Sequence, residues 1–432
     1  MTMHGRRQFF QRAAQMGLGL AALPLACAPA VRPGDGLPAR AALPAPGAAG
    51  YWDAVRDLYP MTRERAYLNT GGLGPAPSSV LDAVQQATSA QQSIVEHGHE
   101  QLEAVRETVA AFFGAAPTEI AFMRNATEGN STISSGLDLR PGDEVIFESH
   151  AHPGGAFAWL SRQKRDGIRV QVFEPDPTSA AGNLERIAAL VTPRTRVIQV
   201  SHITAPTGIR LPVDAIAALA AERGIWFHVD GAQSAGLVPV DLHAIGCDSY
   251  ATSGHKWMGA PHGTGVLYVR HDRQDEVWPT EVGAYSADAA DLAHPERFEL
   301  VPDARRYEPG TRDTASLIGL GAAVDLLTEI GMERIAERAL FLAQRLQRGL
   351  RALPGVEVLT PADPALGAGI TTLKTDRVPF RQLYEAYGAA HMRCRVVTEQ
   401  GLDAVRVSTH LFNSEDECDR VVAVTRDALA KA

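Results

Sequence analysis

Two stretches decide the fold, WFHVDGAQ at residues 226–233 and TSGHKW at residues 252–257. In each, an apolar run typical of a buried strand ends in polar residues and a glycine turn. Ligand crevices open at the carboxyl ends of parallel strands, so Asp230 and Lys256 are predicted to face one crevice. An acid and a lysine in this arrangement suit pyridoxal 5′-phosphate (PLP), whose aldehyde condenses with a lysine amine and whose ring nitrogen pairs with a carboxylate.

Each of these two residues also has a simpler interpretation. Taken alone, Asp230 is a turn residue and Lys256 is a solvated surface charge. The two residues together, in this order and with these flanking residues, favour the cofactor interpretation.

The surrounding sequence alternates between strand and helix patterns. Apolar residues at helical spacing predict helices over residues 99–113 and Val213–Arg223. Strands that alternate with helices indicate an α/β fold with a mostly parallel sheet covered on both faces. The strands are predicted at Glu144–Phe147, Arg169–Phe173, Arg196–Val200, Ile225–Val229, Asp248–Thr252 and Gly265–Val269.

The pattern changes after Gly310. A long helical segment is predicted over residues 315–352, and a closing helix is predicted from Ser414. This order of elements is typical of a smaller α+β domain, so a domain boundary is predicted near residue 310. The strands between the helices are predicted at Val356–Leu359, Ile370–Leu373 and Ala404–Ser408.

The composition is that of an ordinary globular protein. The chain has 432 residues, of which 45% are hydrophobic, and this excludes wholesale disorder and fibrous repeats. A net charge of −9 argues against nucleic acid as a partner. Four cysteines in so long a chain are too few for a disulfide framework.

The N-terminus is predicted to be a twin-arginine export signal over residues 1–30, so the twin-arginine translocation machinery is an expected partner and the protein is expected to be periplasmic or otherwise exported by that route. A frayed amphipathic N-terminus is the alternative. Arg6-Arg7 precedes a moderately apolar run that is shorter than the ~20 residues of a membrane span, so a transmembrane helix is the weaker interpretation. Ala28-Pro29-Ala30 suits simple cleavage, and lipidation at Cys27 is the disfavoured alternative. Residues 31–50 are predicted to be an Ala/Pro/Gly-rich tether.

The motifs VDGAQ at 229–233, SGHKW at 253–257 and GTG at 263–265 resemble the class V aminotransferase family. This is the fold-type I group of PLP enzymes that includes cysteine desulfurases and isopenicillin N epimerase. The resemblance runs from about Tyr67 to the C-terminus. It implies a large PLP-binding domain over residues 66–310 with a seven-stranded type of sheet. It also implies a small C-terminal domain over residues 311–432, on which residues 51–65 pack.

The resemblance assigns roles at these motifs. Lys256 is expected to form the Schiff base with PLP, and Asp230 to pair with the pyridinium nitrogen. Gln233 is expected to hydrogen-bond the phenolic oxygen of the ring. Ser253 and His255 are expected to help hold the phosphate.

Residues 125–129, NATEG, resemble the phosphate loop of the family. Ala126 and Thr127 would offer backbone N–H groups, and Thr127 its hydroxyl, at the start of a helix whose dipole favours an anion. The simpler alternative makes Thr127 an N-cap residue.

His150 and His152 follow the first of the predicted strands. A metal site is one interpretation, but no convincing third ligand stands nearby, so no metal is predicted. The family keeps a histidine or aromatic residue seven positions before a Trp, here Trp159, and this resemblance makes His152 the residue that stacks on the pyridine ring. A satisfied surface histidine is the alternative.

Two further residues are assigned by resemblance. Thr311 would reach the phosphate of the neighbouring subunit, which implies a homodimer, although residues 309–310 also suit a simple turn. Arg406 would bind the α-carboxylate of the substrate, with a strand-edge arginine as the alternative. Ala205 stands where several relatives carry an Asn, and this weakens the likeness to the desulfurases.

The expected reaction begins with abstraction of the Cα proton of an amino-acid substrate by Lys256. The pattern looks closest to the isopenicillin N epimerase-like branch, so epimerisation or transamination is expected, with desulfuration or C–S lyase chemistry as the alternative. Cys394 lies in a strand-like run, where a thiol is more typically packed than poised as a nucleophile. A non-catalytic periplasmic binding protein and a metal-dependent hydrolase built on His150 and His152 are the rival classes.

Overall fold

The computed structural model describes residues 43–432, and the predicted leader over residues 1–30 lies outside them. Seven strands form the main sheet in the order β2-β8-β7-β6-β5-β3-β4, in which β8 alone runs against its neighbours. The predicted α/β fold with a mostly parallel sheet is therefore confirmed. The strands are β2 (Ile120–Met123), β3 (Glu144–Glu148), β4 (Arg169–Phe173), β5 (Thr195–Ser201), β6 (Trp226–Asp230), β7 (Ser249–Ser253) and β8 (Gly265–Val269), and β1 (Ala66–Tyr67) lies outside this sheet.

Helices cover the sheet because their apolar stripes must be buried against it. The central strands β6 and β7 are buried along their whole length, so both faces of the sheet contribute to the core. The helices of this part are α1 (Tyr51–Asp57), α2 (Ser78–Ile94), α3 (Leu102–Phe112), α4 (Ala126–Gly136), α5 (Pro153–Asp166), α6 (Ala180–Leu190), α7 (Val213–Arg223) and α8 (Leu242–Ile245).

A second, four-stranded sheet is built from the C-terminal part in the order β11-β12-β15-β14, with all neighbours antiparallel. Its own apolar core includes Leu342, Leu373 and Val407. The remaining elements are the hairpin β9 (Ala287–Ala290) and β10 (Phe298–Leu300), the strands β11 (Val356–Val358), β12 (Ile370–Thr375), β13 (Met392–Arg393), β14 (Arg395–Val397) and β15 (Ala404–Ser408), and the helices α9 (Thr314–Ile330), α10 (Met332–Arg351), α11 (Phe380–Ala389) and α12 (Glu415–Lys431).

Helix α9 shows how the two sheets are connected. Leu317, Leu320 and Val324 belong to the core that also holds Val109 of α3, so this helix packs with the first part of the chain. The predicted boundary near residue 310 falls just before α9 and stays a prediction. Helix α1 lies against the C-terminal helix α12, where a guanidinium nitrogen of Arg56 is 2.5 Å from Oε1 of Glu417.

Within residues 43–432 no single helix is both long and apolar enough to cross a membrane. Helices α9 and α10 meet that requirement only as a pair, by length and composition, and they are bent by 79° at their junction.

Candidate active site

A cavity of about 280 Å³ opens where the parallel strands β6 and β7 end. Helices α4 and α5 begin at the same edge, so their first turns form part of its wall. This is the position in which open α/β sheets bind ligands. The cavity is lined by Gly71, Gly72, Asn125, Ala126, Thr127, Asn130, His152, Gly154, Asp230, Ala232, Gln233, Ser253, His255, Lys256, Arg395 and Arg406.

The carboxylate of Asp230 is buried, and both of its oxygens are fixed. Oδ2 accepts a hydrogen bond of 2.9 Å from Nδ2 of Asn130, and Oδ1 accepts one of 3.0 Å from the backbone N–H of Ala232. Each oxygen keeps a second lone pair. Asp230 can therefore hold a cationic ring N–H at the floor of the cavity without losing the two donors that orient it.

A chain of buried hydrogen bonds holds Asn130 in turn. Trp226 Nε1 donates to Ser249 Oγ (2.9 Å), which lies 2.8 Å from Nδ1 of His228, and Nε2 of His228 lies 2.8 Å from Oδ1 of Asn130. Asn130 uses its amide nitrogen on Asp230, so its oxygen must accept from His228. His228 thus carries its proton on Nε2. Burial lowers its pKa to about 4, so it stays neutral near pH 7.

The Asn130→Leu variant tests this chain. The substitution removes one of the two buried partners of Asp230 and one of the two of His228, so the free energy of unfolding should fall by ~2–4 kcal/mol. Urea unfolding monitored by circular dichroism measures it. Ser131→Ala, on the same helix and with no side-chain hydrogen bond within the described residues, is the matched control and should change stability by less than ~0.5 kcal/mol. Equal losses of stability in both variants would contradict this chain of hydrogen bonds.

Lys256 differs from the other lysines of this chain. The whole sequence has four, Lys164, Lys256, Lys374 and Lys431. Lys164 and Lys431 are exposed, and Lys374 pairs with a glutamate at 3.1 Å. Lys256 is half-buried in the cavity, so the interpretation as a solvated surface charge is wrong. Burial lowers its pKa to about 8, against the opposing charge of Asp230.

The lowered pKa of Lys256 predicts the pH dependence of cofactor loading. Only the neutral amine attacks an aldehyde, so the rate of covalent attachment of PLP to the apoprotein should rise with pH around a midpoint near 8. Asp230 favours the charged ammonium, so Asp230→Asn should move this midpoint to lower pH. Stopped-flow absorbance measures both rates. A wild-type midpoint above pH 9.5, or an upward shift in the variant, would contradict this assignment.

The predicted phosphate end lies at the start of helix α4. This helix begins at Ala126 with Asn125 as its N-cap, so the alternative that made Thr127 the cap is wrong. The backbone N–H of Ala126 already donates to Ser253 Oγ at 2.9 Å, which ties the end of β7 to the helix. Within the described residues, the amide and hydroxyl of Thr127 have no hydrogen bond and remain available to an anion.

His255 stands beside this phosphate end. Its Nδ1 is buried without a hydrogen-bond partner among residues 43–432, and burial lowers its pKa to about 4. A buried ring nitrogen without a partner costs free energy until a ligand satisfies it, and with the proton on Nδ1 it can donate to an anion. The phosphate of the cofactor is such a ligand.

Arg406 and Gln233 complete the walls. Arg406 is fully buried within the small sheet, so the interpretation as a strand-edge arginine is wrong. Its Nη1 donates to the carbonyl oxygen of Ala205 at 2.8 Å, and its Nε has no partner in the described chain. Gln233 donates to the carbonyl oxygen of Gly71 at 3.0 Å, which leaves one amide hydrogen for a ring oxygen.

The two histidines of the β3–α5 loop have separate positions. His152 is the N-cap of α5, where Nδ1 accepts from the N–H of Gly154 at 3.0 Å, and its ring lines the cavity. His150 is buried outside the cavity and contacts Thr207 and Glu174. Across residues 43–432, no group of three or more His, Cys, Asp or Glu side chains is arranged to hold a metal ion.

The structure brings together all the predicted site residues except Thr311. Thr311 is exposed and lines a different cavity of about 480 Å³, beside His262 and Tyr307, so its role toward a neighbouring subunit stays a prediction. Sequence reasoning missed Arg395, which lines the cavity opposite Arg406 in the β14–β15 pairing and forms an ion pair with Glu399. It also missed Asn130, because nothing in its local sequence points to Asp230.

The cavity fits PLP. The fixed carboxylate of Asp230 matches the ring nitrogen of PLP, and the amine of Lys256, whose pKa is lowered, matches its aldehyde. The groups without partners at the start of helix α4 match its phosphate. The separate roles of the individual residues toward the cofactor remain predictions.

Residues 66–421 match the family model Aminotransferase class-V. The chain therefore belongs to the class V aminotransferase family, a family of PLP-dependent enzymes, and the predicted family, cofactor and enzyme class are confirmed.

Relatives within this family carry different activities. Isopenicillin N epimerase from Streptomyces clavuligerus is 30% identical over 394 residues, which cover 88% of this chain and 98% of that protein. A cysteine desulfurase from Salmonella newport is 29% identical over 376 residues, which cover 83% of this chain and 92% of that protein. The family match therefore leaves the reaction open among several branches.

Solved structures show the same fold. A mutant of C-DES with glycine covalently linked to the PLP cofactor has a TM-score of 0.79 and 28% identity, and covers 86% of this chain and 99% of its own. The apo cysteine desulfurase from Thermococcus onnurineus NA1 has a TM-score of 0.80 at 24% identity, covers 88% of this chain and 98% of its own, and supports the fold alone.

Proposed function

We propose that the protein is a PLP-dependent enzyme that removes the Cα proton of an amino acid, as an isopenicillin N epimerase-like epimerase or aminotransferase. PLP, when bound, withdraws electrons from Cα and so acidifies its C–H bond. Arg406 binds the substrate carboxylate and thereby fixes which bond at Cα is presented. Lys256 accepts the proton at Nζ, for which a pKa of about 8 is well matched to neutral pH.

The observation that carries this proposal is the placement of Lys256, Asp230 and Arg406 around one cavity. Lys256 supplies the base, Asp230 polarises the cofactor ring and Arg406 orients the substrate. Epimerisation also needs a group that returns a proton to the other face of Cα, and His152 is our candidate because its ring lines the same cavity. Without such a group, Lys256 would be the only residue to hold the proton, and transamination would be the expected outcome in place of epimerisation.

Cysteine desulfuration or C–S lyase chemistry is the second candidate. A cysteine desulfurase at 29% identity and the cystine C–S lyase C-DES at 28% identity favour it. Desulfuration needs a thiol that can reach the substrate sulfur. Cys394 is fully buried, and burial raises its pKa to about 12, so it is poorly suited to that attack. Lyase chemistry needs no such thiol and therefore remains the stronger form of this candidate.

Incubation of the PLP-loaded enzyme with L- and D-amino acids in D₂O tests the reaction. We expect deuterium at Cα in wild type, with inverted configuration for an epimerase or release of a keto acid for an aminotransferase. Lys256→Ala should lower the exchange rate by a factor of 10³ or more, and Lys374→Ala, a surface lysine, should leave it unchanged. NMR and chiral chromatography read the products.

Two results would favour the second candidate in that experiment. Release of pyruvate from L-cystine with Cys394→Ala fully active would indicate a C–S lyase. Alanine formed from L-cysteine, with sulfide released by an added thiol reductant and both products abolished by Cys394→Ala, would indicate a desulfurase. Exchange that persists in Lys256→Ala would contradict the proposed mechanism itself.

We propose further that the enzyme is a homodimer in which Thr311 completes the neighbouring cavity, and that it reaches the periplasm by the twin-arginine route. The exposure of Thr311 away from its own cavity supports the first statement. The Arg6-Arg7 pair before an apolar run supports the second.

Replacing Arg6-Arg7 by two lysines tests the export route. The change keeps both charges but removes the guanidinium pair that the pathway recognises, so export should be abolished. Cell fractionation of the producing bacterium, followed by immunoblotting, measures it. A single Arg32→Lys change in the predicted tether is the matched control and should leave export intact. Export of the double variant at the wild-type level would contradict the route.

A further inference from the structure

The loop over residues 202–209 connects the end of strand β5 to the substrate arginine. The carbonyl oxygen of Ala205 accepts the 2.8 Å hydrogen bond from Nη1 of Arg406. The other bond of this guanidinium to the protein, from Nη2 to Oδ1 of Asn69, is longer at 3.3 Å. The position of Ala205 therefore sets one side of the site that we propose for the substrate carboxylate.

A second chain of buried hydrogen bonds holds this loop, and it ends at His150. The N–H of Ile209 donates to Thr204 Oγ1 at 2.9 Å, and Thr204 Oγ1 lies 2.8 Å from Thr207 Oγ1. Thr207 Oγ1 lies 2.9 Å from Nδ1 of His150. Thr204, Thr207 and His150 are all at least 95% buried, so water does not compete for these bonds.

Only one arrangement of protons satisfies every donor in this chain. Thr204 accepts from Ile209 and donates to Thr207, and Thr207 donates to Nδ1 of His150. With the proton on Nδ1 instead, one of the two threonine hydroxyl hydrogens would have no acceptor within the chain. Nε2 of His150 lies 3.2 Å from Oε1 of Glu174 without the geometry of a hydrogen bond, and the charge of this carboxylate favours a proton on Nε2. His150 is therefore the terminal acceptor of the chain.

We infer that His150 is a positioning residue, which holds the Thr204–Thr207 loop and through Ala205 orients Arg406 for the carboxylate of the substrate. The inference rests on the proposed function, because it assigns the cavity an amino-acid ligand. It gives a role to the one histidine of the HAHP motif (residues 150–153) that does not reach the cavity.

Replacement of His150 is expected to affect the binding of two kinds of ligand differently. Loss of the acceptor at His150 leaves the hydroxyl of Thr207 unsatisfied inside the protein, so the loop must shift to relieve it. Such a shift weakens the binding of a carboxylate at Arg406. It leaves unchanged the binding of an amine that has no carboxylate, because that amine makes no use of Arg406.

The test compares L-alanine with ethylamine, which is the same molecule without the carboxylate. Dissociation constants are measured from the absorbance change of the PLP-loaded enzyme. His150→Leu and Thr207→Val should each weaken L-alanine about 10-fold or more and ethylamine less than two-fold. His150→Asn, whose Oδ1 takes the place of Nδ1 as acceptor, should bind L-alanine within about three-fold of wild type. The double variant should lose no more than either single one, because both break the same chain.

The outcomes separate the inference from the proposed function. Equal weakening of both ligands in His150→Leu, or no weakening of L-alanine, overturns the inference while the function stands. The inference is also overturned if His150→Asn is folded but binds L-alanine much more weakly than wild type. A wild-type enzyme whose absorbance does not respond to L-alanine contradicts the proposed function and the inference together.

A measurement on the apoprotein tests the same chain without the cofactor. Ring-nitrogen NMR of histidine-labelled protein, with the signal assigned by its loss in His150→Asn, should show a neutral His150 with its proton on Nε2. Thr207→Val should shift the Nδ1 signal toward that of a nitrogen without a hydrogen-bond donor. A proton found on Nδ1 in the wild type would overturn the inference.

Discussion

The site depends on a buried carboxylate that is held in one orientation. A charge at the end of β6 loses its water, and this is costly unless fixed donors replace the lost hydrogen bonds. Asn130 and the N–H of Ala232 supply two such donors to Asp230. Asn130 can do so only because His228 occupies its oxygen, and the chain continues to Trp226 at the other end of the strand. Strand β6 thus carries the acid and, two residues earlier, the histidine that fixes Asn130.

The same principle applies on the opposite wall. Arg406 is a buried cation without a carboxylate partner among residues 43–432, and burial lowers its pKa to about 9. Neutral oxygens of Ala205 and Asn69 orient it while leaving its charge for a ligand. In both walls, hydrogen bonds with neutral groups fix the geometry of a charged group and leave its charge available to a ligand. That combination favours a ligand that carries a cationic ring nitrogen and, farther along the cavity, an anionic carboxylate.

Much of the fold could be predicted because buried strands and helices require apolar residues at regular spacings in the sequence. The bounds predicted for Arg169–Phe173, Val213–Arg223 and Gly265–Val269 agree with the structure. The edge strand β2 and helix α2 were not predicted. A four-residue apolar run is ambiguous between strand and helix, and the hydrophobic face of α2 is weak, with only Val80 fully buried.

The site was predictable where a motif carries the chemistry and not where a remote contact does. Asp230, Lys256 and Arg406 lie in motifs, whereas Asn130 meets Asp230 across 100 residues of sequence and His150 meets Thr207 across 57. Such partners depend on strand order and loop shape, which local patterns do not specify. For the same reason no positive role could be predicted from the sequence for His150, whose Nδ1 lies buried 2.9 Å from the hydroxyl of Thr207.

Of the four lysines, Lys256 alone is expected to carry the cofactor, opposite Asp230. The most direct measurement is reduction of the PLP-loaded protein with sodium borohydride, followed by peptide mass spectrometry. The account predicts a single pyridoxyl-phosphate adduct, on the peptide that contains Lys256. An adduct on Lys164, Lys374 or Lys431 with Lys256 unmodified, or no stable adduct at all, would contradict it.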